Sequence, residues 1–334
     1  MICKIRISFK FIFILVILLL LIQLYLFHNA KLLNEEDKNI PVILWWTPFG
    51  NNGLTKICGY SQCYFTYNRT YENNSRLKAI LFYGSNFQIN DLPKWRSAFV
   101  QWGLIHEESP RNNPIFVHDK ALNLFNYSST FSRFSNVPLY SVDLPDKEEL
   151  LEKLWRPLVV GSVPIYYGSP SFKDWLPNNK SAISVLDFYE PKELANFLFH
   201  LLNNDIEYER YLIHKIGRDE ERLTNNRLLD VLKKRSTKYN FGYYVEEYEC
   251  YVCKQIHNTQ IKEEISIVSK KHYDCPLPIN LLSGKTDKNN FWVNQWNLEK
   301  CGAKLLEHYV LNNITIDIKK YNDEKFELYN KNDC

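Results

Sequence analysis

Four places in the chain carry reactive residue types at short spacing. Cys250-x-x-Cys253 is a pair of thiols, with His272 and Cys275 the nearest further donors. Such a pair serves zinc, redox chemistry or disulfides. A zinc site needs four ligands, and in an oxidising compartment disulfides are the expected outcome. The disulfide candidates are Cys58, Cys63, Cys250, Cys253 and Cys275. Two adjacent carboxylates, Glu107 and Glu108, precede Ser109-Pro110, and Glu152-Lys153 opens a helical stretch. Tyr166-Tyr167-Gly168 ends an apolar run. Taken alone, the charged pairs read as solvated surface.

The elements that position these residues are legible in part. Residues 41–46 and 79–83 are continuous apolar runs of strand length, each closed by glycine-containing turns, and 115–118 is a third candidate. Strands apolar on both faces suit a buried parallel sheet, and the intervening segments have room for helices, so the first half reads as α/β. Residues 147–160 read as helix apart from Pro157, with strands following at 163–167 and 182–186. Pro191 opens a helix whose apolar residues Leu194, Phe197, Leu198, Leu201 and Leu202 share one face. Residues 205–216 read as a further helix, and beyond about residue 235 the pattern is irregular.

Composition and the N-terminus set the compartment. The 334 residues are 24% charged and 45% hydrophobic, which excludes wholesale disorder and a small disulfide-stapled scaffold. A net charge of +3, dispersed along the chain, argues against nucleic acid as a partner. Residues 11–27 are apolar except Gln23 and follow Lys4, Arg6 and Lys10. This predicts a signal anchor, a single-pass type II topology and a lumenal body in the Golgi or endoplasmic reticulum. Five Asn-x-Ser/Thr sequons, at Asn68, Asn73, Asn126, Asn179 and Asn313, agree with a lumenal body and glycosylation there. The expected organisation is a tail (1–10), an anchor (11–27), a stem (28–39), an α/β domain (40–140), a second α/β region (141–235) and a Cys-containing region (236–334).

Several signatures are absent. The chain has no Gly-x-Gly-x-x-Gly, P-loop, His-Glu-x-x-His or Gly-x-Ser-x-Gly, and no Asp-x-Asp of the kind that holds a divalent metal in sugar-nucleotide transferases. A lumenal α/β enzyme without these fits a metal-free glycosyltransferase. Such an enzyme needs a carboxylate base for the acceptor hydroxyl, cations for the departing diphosphate, and helix N-termini near the phosphates.

The middle of the chain is more specific. Glu152-Lys153-Leu154-Trp155-Arg156-Pro157, residues 161–170 (Gly-Ser-Val-Pro-Ile-Tyr-Tyr-Gly-Ser-Pro) and Asp174-Trp175-Leu176-Pro177-Asn178 resemble the donor-site signature of the α-1,3-fucosyltransferase family, glycosyltransferase family ten. Leu44-Trp45-Trp46-Thr47-Pro48, Leu81-Phe82-Tyr83-Gly84 and His106-Glu107-Glu108-Ser109-Pro110 extend the resemblance. The last of these, with Cys250-x-x-Cys253 and Asp274-Cys275-Pro276, is similar to the branch of fucosyltransferases ten and eleven, the protein O-fucosyltransferases three and four. The family implies a GT-B-like fold of two Rossmann-like domains, GDP-fucose as donor, no metal or other cofactor, and inversion at the anomeric carbon. It implies Glu108 as general base, Lys153 against the diphosphate and Glu152 on a sugar hydroxyl. Arg133, Tyr166, Tyr167 and Gly168 are expected at the donor cleft. The implied acceptor is Ser or Thr of a folded protein domain of EMI type, or N-acetylglucosamine of a glycan.

One departure bears on function. Between Leu139 and Glu152 this chain has 12 residues. The family carries a block of about a hundred there, the size of a small domain. The second domain is therefore expected to be incomplete through an internal deletion. The alternative expectation is a catalytically inactive isoform acting as a membrane-anchored binding protein.

Overall fold

The computed structural model describes residue 23 and residues 39–109, 112–132, 134–139, 152–168, 170–234, 241–262, 266–273, 275–280 and 283–334. The first unit is built on a six-stranded sheet. Its strands are β1 (Val42–Trp45), β2 (Leu54–Cys58), β3 (Ser61–Thr66), β4 (Leu77–Tyr83), β5 (Gln101–His106) and β6 (Tyr127–Thr130). Their order is β2-β3-β1-β4-β5-β6, parallel from β3 to β6 with β2 antiparallel at one edge. β1 and β5 are buried along their whole length, and in β1 every residue is accordingly apolar.

Successive side chains feed two cores, as the period of a strand requires. Val42, Leu44, Ile80, Phe82, Trp102 and Leu104 enter one core, and Ile43, Trp45, Ala79, Leu81 and Ile105 the other. Each face is closed by helices from the far end of the chain. The short helix α1 (Asp119–Leu122), a nine-residue helix α2 (Glu152–Val160), α3 (Pro191–Leu202) and α4 (Asn226–Lys234) precede three others: α5 (Phe241–Lys262), α6 (Phe291–Leu311) and α7 (Ile318–Asn330). α6 and α7 supply Ala303, Leu306, Tyr309 and Tyr321 to the first core. α5 supplies Tyr244, Tyr248, Val252 and Ile256 to the second.

α5 is held to the sheet by covalent and ionic bonds. Cys250 joins Cys58 and Cys253 joins Cys63, with Cα separations of 5.1 and 5.9 Å. The Cys-x-x-Cys thiols, three apart and so on one helical face, both reach the β2–β3 hairpin. Between these bridges and β1, Glu249 is fully buried. It accepts from Trp45 Nε1 (2.8 Å), Asn51 N (2.7 Å), Asn51 Nδ2 (2.6 Å) and Lys56 Nζ (2.8 Å). Gly50 is obligatory beside it, because a Cβ there would lie 2.2 Å from Glu249 Oε1. A third bridge, Cys301–Cys334, ties the end of the chain to α6.

The second unit is small. Among the described residues it has one two-stranded parallel sheet, β7 (Ile165–Tyr166) and β8 (Ile183–Ser184). Leu158, Phe172 and Leu176 form its buried cluster. α3 begins at Pro191 as expected, but only Leu201 is buried, while Phe199 and Leu202 are 64% and 75% exposed.

The structure corrects several expectations. The α/β, GT-B-like reading keeps its first sheet, but the transmembrane helix it included is not found among the described residues. Among the described residues no helix is long and apolar enough to cross a membrane. The expected anchor at 11–27 lies, apart from Gln23, outside the described residues. The signal anchor, the membrane as a partner and the type II Golgi or endoplasmic-reticulum membrane placement are corrected accordingly. The 115–118 strand is a 3-10 turn, Pro114–Val117, begun by its proline. Residues 205–216 break into short helical segments. The stretch beyond 235, irregular by pattern, contains the two longest helices described. Cys275 lies outside the three bridges, whereas Cys301 and Cys334, absent from the candidates, form one.

Replacing Glu249 by Ala leaves Lys56 and Trp45 Nε1 without their buried acceptor and is expected to cost about 3–5 kcal/mol. Removing the Cys63–Cys253 bridge as the double Ser variant is expected to cost about 2–5 kcal/mol. Urea unfolding followed by tryptophan fluorescence reads both, and an unchanged midpoint in either variant contradicts the assignment. His106 and His118 are buried, and burial pushes each imidazole down to about 4. Their folded forms are neutral, so their contribution is complete above about pH 6.5 and is lost as pH falls towards 4. His106→Gln is expected to flatten that acid slope by up to about 1.4 kcal/mol per pH unit. Equal slopes for wild type and variant between pH 6.5 and 4 would refute it.

Candidate functional site

The parallel strands β1, β4, β5 and β6 end along one edge of the sheet, at Trp45, Tyr83, His106 and Thr130. Open α/β sheets bind ligands beyond such carboxyl ends. Glu107 and Glu108 directly follow β5 there. The strand itself fixes them. His106 is fully buried, and its Nδ1 bonds to the Tyr273 hydroxyl. Gly84 allows this packing, since a Cβ on it would sit 2.6 Å from the imidazole Cγ.

The two carboxylates occupy different environments. Glu107 is half-buried and accepts a hydrogen bond from the Tyr83 hydroxyl on Oε1, while its buried Oε2 has no partner among the described residues. Burial raises its pKa above the ordinary carboxylate value. Burial also raises the Tyr83 phenol, assisted by Glu107. Phe49 stacks on the Tyr83 ring, with centroids 3.9 Å apart and planes within 6°, and so fixes the hydroxyl that Glu107 receives. Glu108 is exposed, and its Oε2 accepts from Asn112 Nδ2 at 3.0 Å. Asn113 bonds to the Gly84 carbonyl at 3.1 Å and ties the loop back to β4. The arrangement presents one carboxylate to solvent at a sheet edge and anchors its neighbour behind it. An exposed carboxylate so placed can accept a proton from a hydroxyl brought to it.

The other expected site residues fall elsewhere. Tyr166, Tyr167 and Gly168 are in the second unit, where Tyr166 packs on Phe172 at 4.6 Å between centroids. A Cβ at Gly168 would meet Tyr166 Oη at 2.6 Å, so the close turn after β7 requires glycine. Tyr167 is 53% exposed. Glu152 and Lys153 open α2, but their side chains lie outside the described residues, as does Arg133 entirely. Of the sequon asparagines, Asn68, Asn73, Asn179 and Asn313 are exposed. Asn126 is buried, accepts from Trp102 N (2.8 Å) and Arg96 Nη2 (2.9 Å), and donates to the Ser266 carbonyl (2.9 Å). The fold leaves no room for a glycan at Asn126, which corrects that expectation. Among the described residues Cys63, Cys253 and His257 are close enough to share a metal, but the two sulfurs are joined to each other.

Sequence reasoning passed over Tyr83, His106 and Tyr273 as site residues. Tyr83 ends an apolar run and His106 immediately precedes the carboxylates, so both had a positional signal. Tyr273 had none, because 167 positions separate it from its partner.

Comparison with known proteins identifies the lineage. Residues 37–140 match the family model described as fucosyltransferase, N-terminal. Residues 147–271 match the model described as glycosyltransferase family 10 (fucosyltransferase), C-terminal. The chain is 30% identical to GDP-fucose protein O-fucosyltransferase 3 of Xenopus laevis, over 85% of this chain and 84% of the relative. It is 31% identical to the protein of that name from Gallus gallus, over 76% and 75%. It is 31% identical to the Homo sapiens protein, over 71% of each. The Xenopus laevis alignment runs over 400 positions, whereas 85% of 334 residues is about 284, so about 116 positions have no residue in this chain. Two adjoining family models and relatives matched along most of their length place this chain among the family-10 fucosyltransferases, a family of glycosyltransferases.

Proposed function

We propose that the chain transfers fucose from GDP-fucose to a hydroxyl of a folded protein. The observation that carries this reading is the Glu107–Glu108 pair at the carboxyl end of β5, with Glu107 anchored by Tyr83 and Glu108 presented to solvent. Glu108 accepts the proton of the acceptor hydroxyl as that oxygen attacks the anomeric carbon of fucose. The carbon–oxygen bond to the diphosphate breaks on the opposite face, and GDP departs with the electron pair. Configuration inverts in a single displacement, with no metal required. Lys153, on the first turn of α2, offsets charge on the departing diphosphate together with the helix N-terminus. Glu152 takes a sugar hydroxyl, and Arg133, Tyr166 and Tyr167 line the donor side. The names of the relatives, protein O-fucosyltransferases, support Ser or Thr of a protein over N-acetylglucosamine of a glycan, and an EMI domain is the acceptor we put first.

A second reading has its own observation in favour. The two short strands described in the second unit, together with the about 116 unmatched positions, fit a chain that keeps acceptor contacts but lacks a working donor pocket. Displacing the shell around a preorganised site lowers rate even where the named residues remain.

Two experiments separate these readings and test the roles. In calorimetry the full-length chain is expected to bind GDP-fucose in the micromolar range. Lys153→Ala is expected to bind about 10–100-fold more weakly, the equivalent of one charge-assisted hydrogen bond. No binding by folded protein would establish the inactive reading. With radiolabelled GDP-fucose and a folded EMI domain, Glu108→Gln is expected to lower kcat about 10²–10⁴-fold with donor KM little changed. Tyr83→Phe, which frees Glu107 but leaves Glu108, is expected to lower kcat about tenfold. Transfer that persists in Glu108→Gln would remove Glu108 as the base, and transfer abolished by EDTA would remove the metal-free mechanism. A preference for an N-glycan over the EMI domain would transfer the reading to the glycan acceptor.

A further inference from the structure

The short segment that braces the candidate base also braces a pair of aromatic rings. Tyr273 holds His106 at the end of β5. The two carbonyls before it pin the turn that leaves β6: His272 accepts from Thr130 Oγ1 at 2.6 Å, and Lys271 from Ser132 Oγ at 2.9 Å. The turn is also closed on itself, because Thr130 N donates to Ser135 Oγ (3.1 Å) and Ser135 N to the Ser132 carbonyl (3.0 Å). Base and turn are thus fixed relative to each other through residues 271–273.

Phe131 and Phe134, both in this turn, are 46% and 56% exposed and belong to neither core of the first unit. β5 and β6 run parallel with His106 opposite Thr130. One residue further that register sets Glu107 opposite Phe131, at the interstrand spacing of about 4.8 Å, with Glu108 next along. A single exposed aromatic is ordinary on a protein surface. Two in one pinned turn, beside the carboxylate pair at the ligand edge of a parallel sheet, give that edge a local apolar surface. Aromatic rings are enriched where proteins meet, and rings already held in place lose little freedom on binding.

We infer that Phe131 and Phe134 dock the acceptor protein, against an apolar side chain beside the hydroxyl that Glu108 deprotonates. The inference deepens the proposed function and rests on it for the identity of the partner. The two rings carry no charge to meet a diphosphate and no hydrogen-bonding group to read a sugar, whereas an apolar side chain of a protein gains by covering them. Arg133, proposed for the donor side, lies between them in sequence, so the test reads both substrates.

The test is acceptor binding and transfer by the full-length chain, with a folded EMI domain as the probe. In calorimetry without donor the domain is expected to bind, and Phe131→Ala/Phe134→Ala to bind it about tenfold or more weakly. Phe131→Leu/Phe134→Leu, which keeps an apolar surface, is expected to stay within about threefold of wild type. The control is Phe99→Ala: that ring is 87% exposed and precedes β5 at the opposite end of the strand, and the variant is expected to bind as wild type does. Both turn rings lie outside the cores, so the Ala pair is expected to keep its urea midpoint. In transfer assays the Ala pair is expected to raise acceptor KM about tenfold with donor KM within about twofold. Wild type that does not bind the domain, or an Ala pair that binds it as wild type does, overturns the inference. A rise in donor KM with acceptor KM unchanged overturns it as well. Wild type that binds the domain but transfers no fucose, with binding weakened in the Ala pair, removes the transferase reading and supports the docking surface.

Discussion

The first unit depends on how α5 is fastened to the sheet. A carboxylate with no solvent exposure has to be compensated locally, and Glu249 is compensated by four donors from β1, β2 and the loop between them. Those donors come from residues 45–56, and the acceptor comes from residue 249. The pair therefore selects one position of α5 over all others along the sheet. The disulfides to Cys58 and Cys63 lie one residue after Glu249 and one helical turn after that bridge, on the same side of the helix. They make permanent the alignment that the charge selects. With α5 in place, Tyr248 reaches across β5 to donate to the Tyr127 carbonyl of β6 at 3.2 Å, and a Cβ on Gly103 would lie 2.5 Å from its hydroxyl oxygen. The glycine in the middle of β5 is thus a consequence of the clamp on α5, and β5 carries the candidate base.

The two carboxylates after β5 show how position divides labour between like residues. Strand geometry turns successive side chains to opposite sides. His106 points into the core against Tyr273, and Glu107 turns towards Tyr83. Glu108 emerges where the chain leaves the sheet. Burial raises the Glu107 pKa, and the hydrogen bond it accepts from the Tyr83 hydroxyl holds it behind Glu108 as a positioning group. The exposed Glu108 can meet an incoming hydroxyl. The Phe49–Tyr83 stack is part of the same assembly, because it restricts the phenol to the one orientation that reaches Glu107.

Much of this was legible in sequence, and the failures have physical causes. Val42–Trp45 and Leu77–Tyr83 announced themselves because both faces of those strands are buried. β5 did not, because it begins with a buried Gln101, contains Gly103 and ends with a buried His106, the last two set by Tyr248 and Tyr273. β6 reads as Tyr-Ser-Ser-Thr. Its Ser and Thr hydroxyls are buried because carbonyl partners satisfy them: Ser129 donates to the Val137 carbonyl, and Thr130 to the His272 carbonyl. In α5 the apolar residues Tyr244, Tyr248, Val252 and Ile256 recur every four positions, but the two cysteines and the interleaved glutamates masked the periodicity. Of the site, the carboxylates were visible as a motif. The groups that hold them, Tyr273 above all, become neighbours only through the fold.

The order of the chain explains why the first unit is whole although about 116 positions of a relative find no counterpart. Residues 40–139 form the sheet, the chain departs through the second unit, and residues 241–334 return to cover both faces of that sheet. The second unit is in effect inserted between the sheet and its covering helices. Residues lost within such an insertion remove none of the contacts among β1–β6, α5, α6 and α7, so the first unit keeps its cores, its bridges and the carboxylate edge. The second unit is the smaller part: two short strands and a cluster of three buried side chains are its described core, and α3 leaves Phe199 and Leu202 in solvent. In the proposed function, acceptor-side chemistry and donor-side binding rest on parts of unequal size. The activity of the chain is decided by whether the smaller part still holds a nucleotide sugar against the larger.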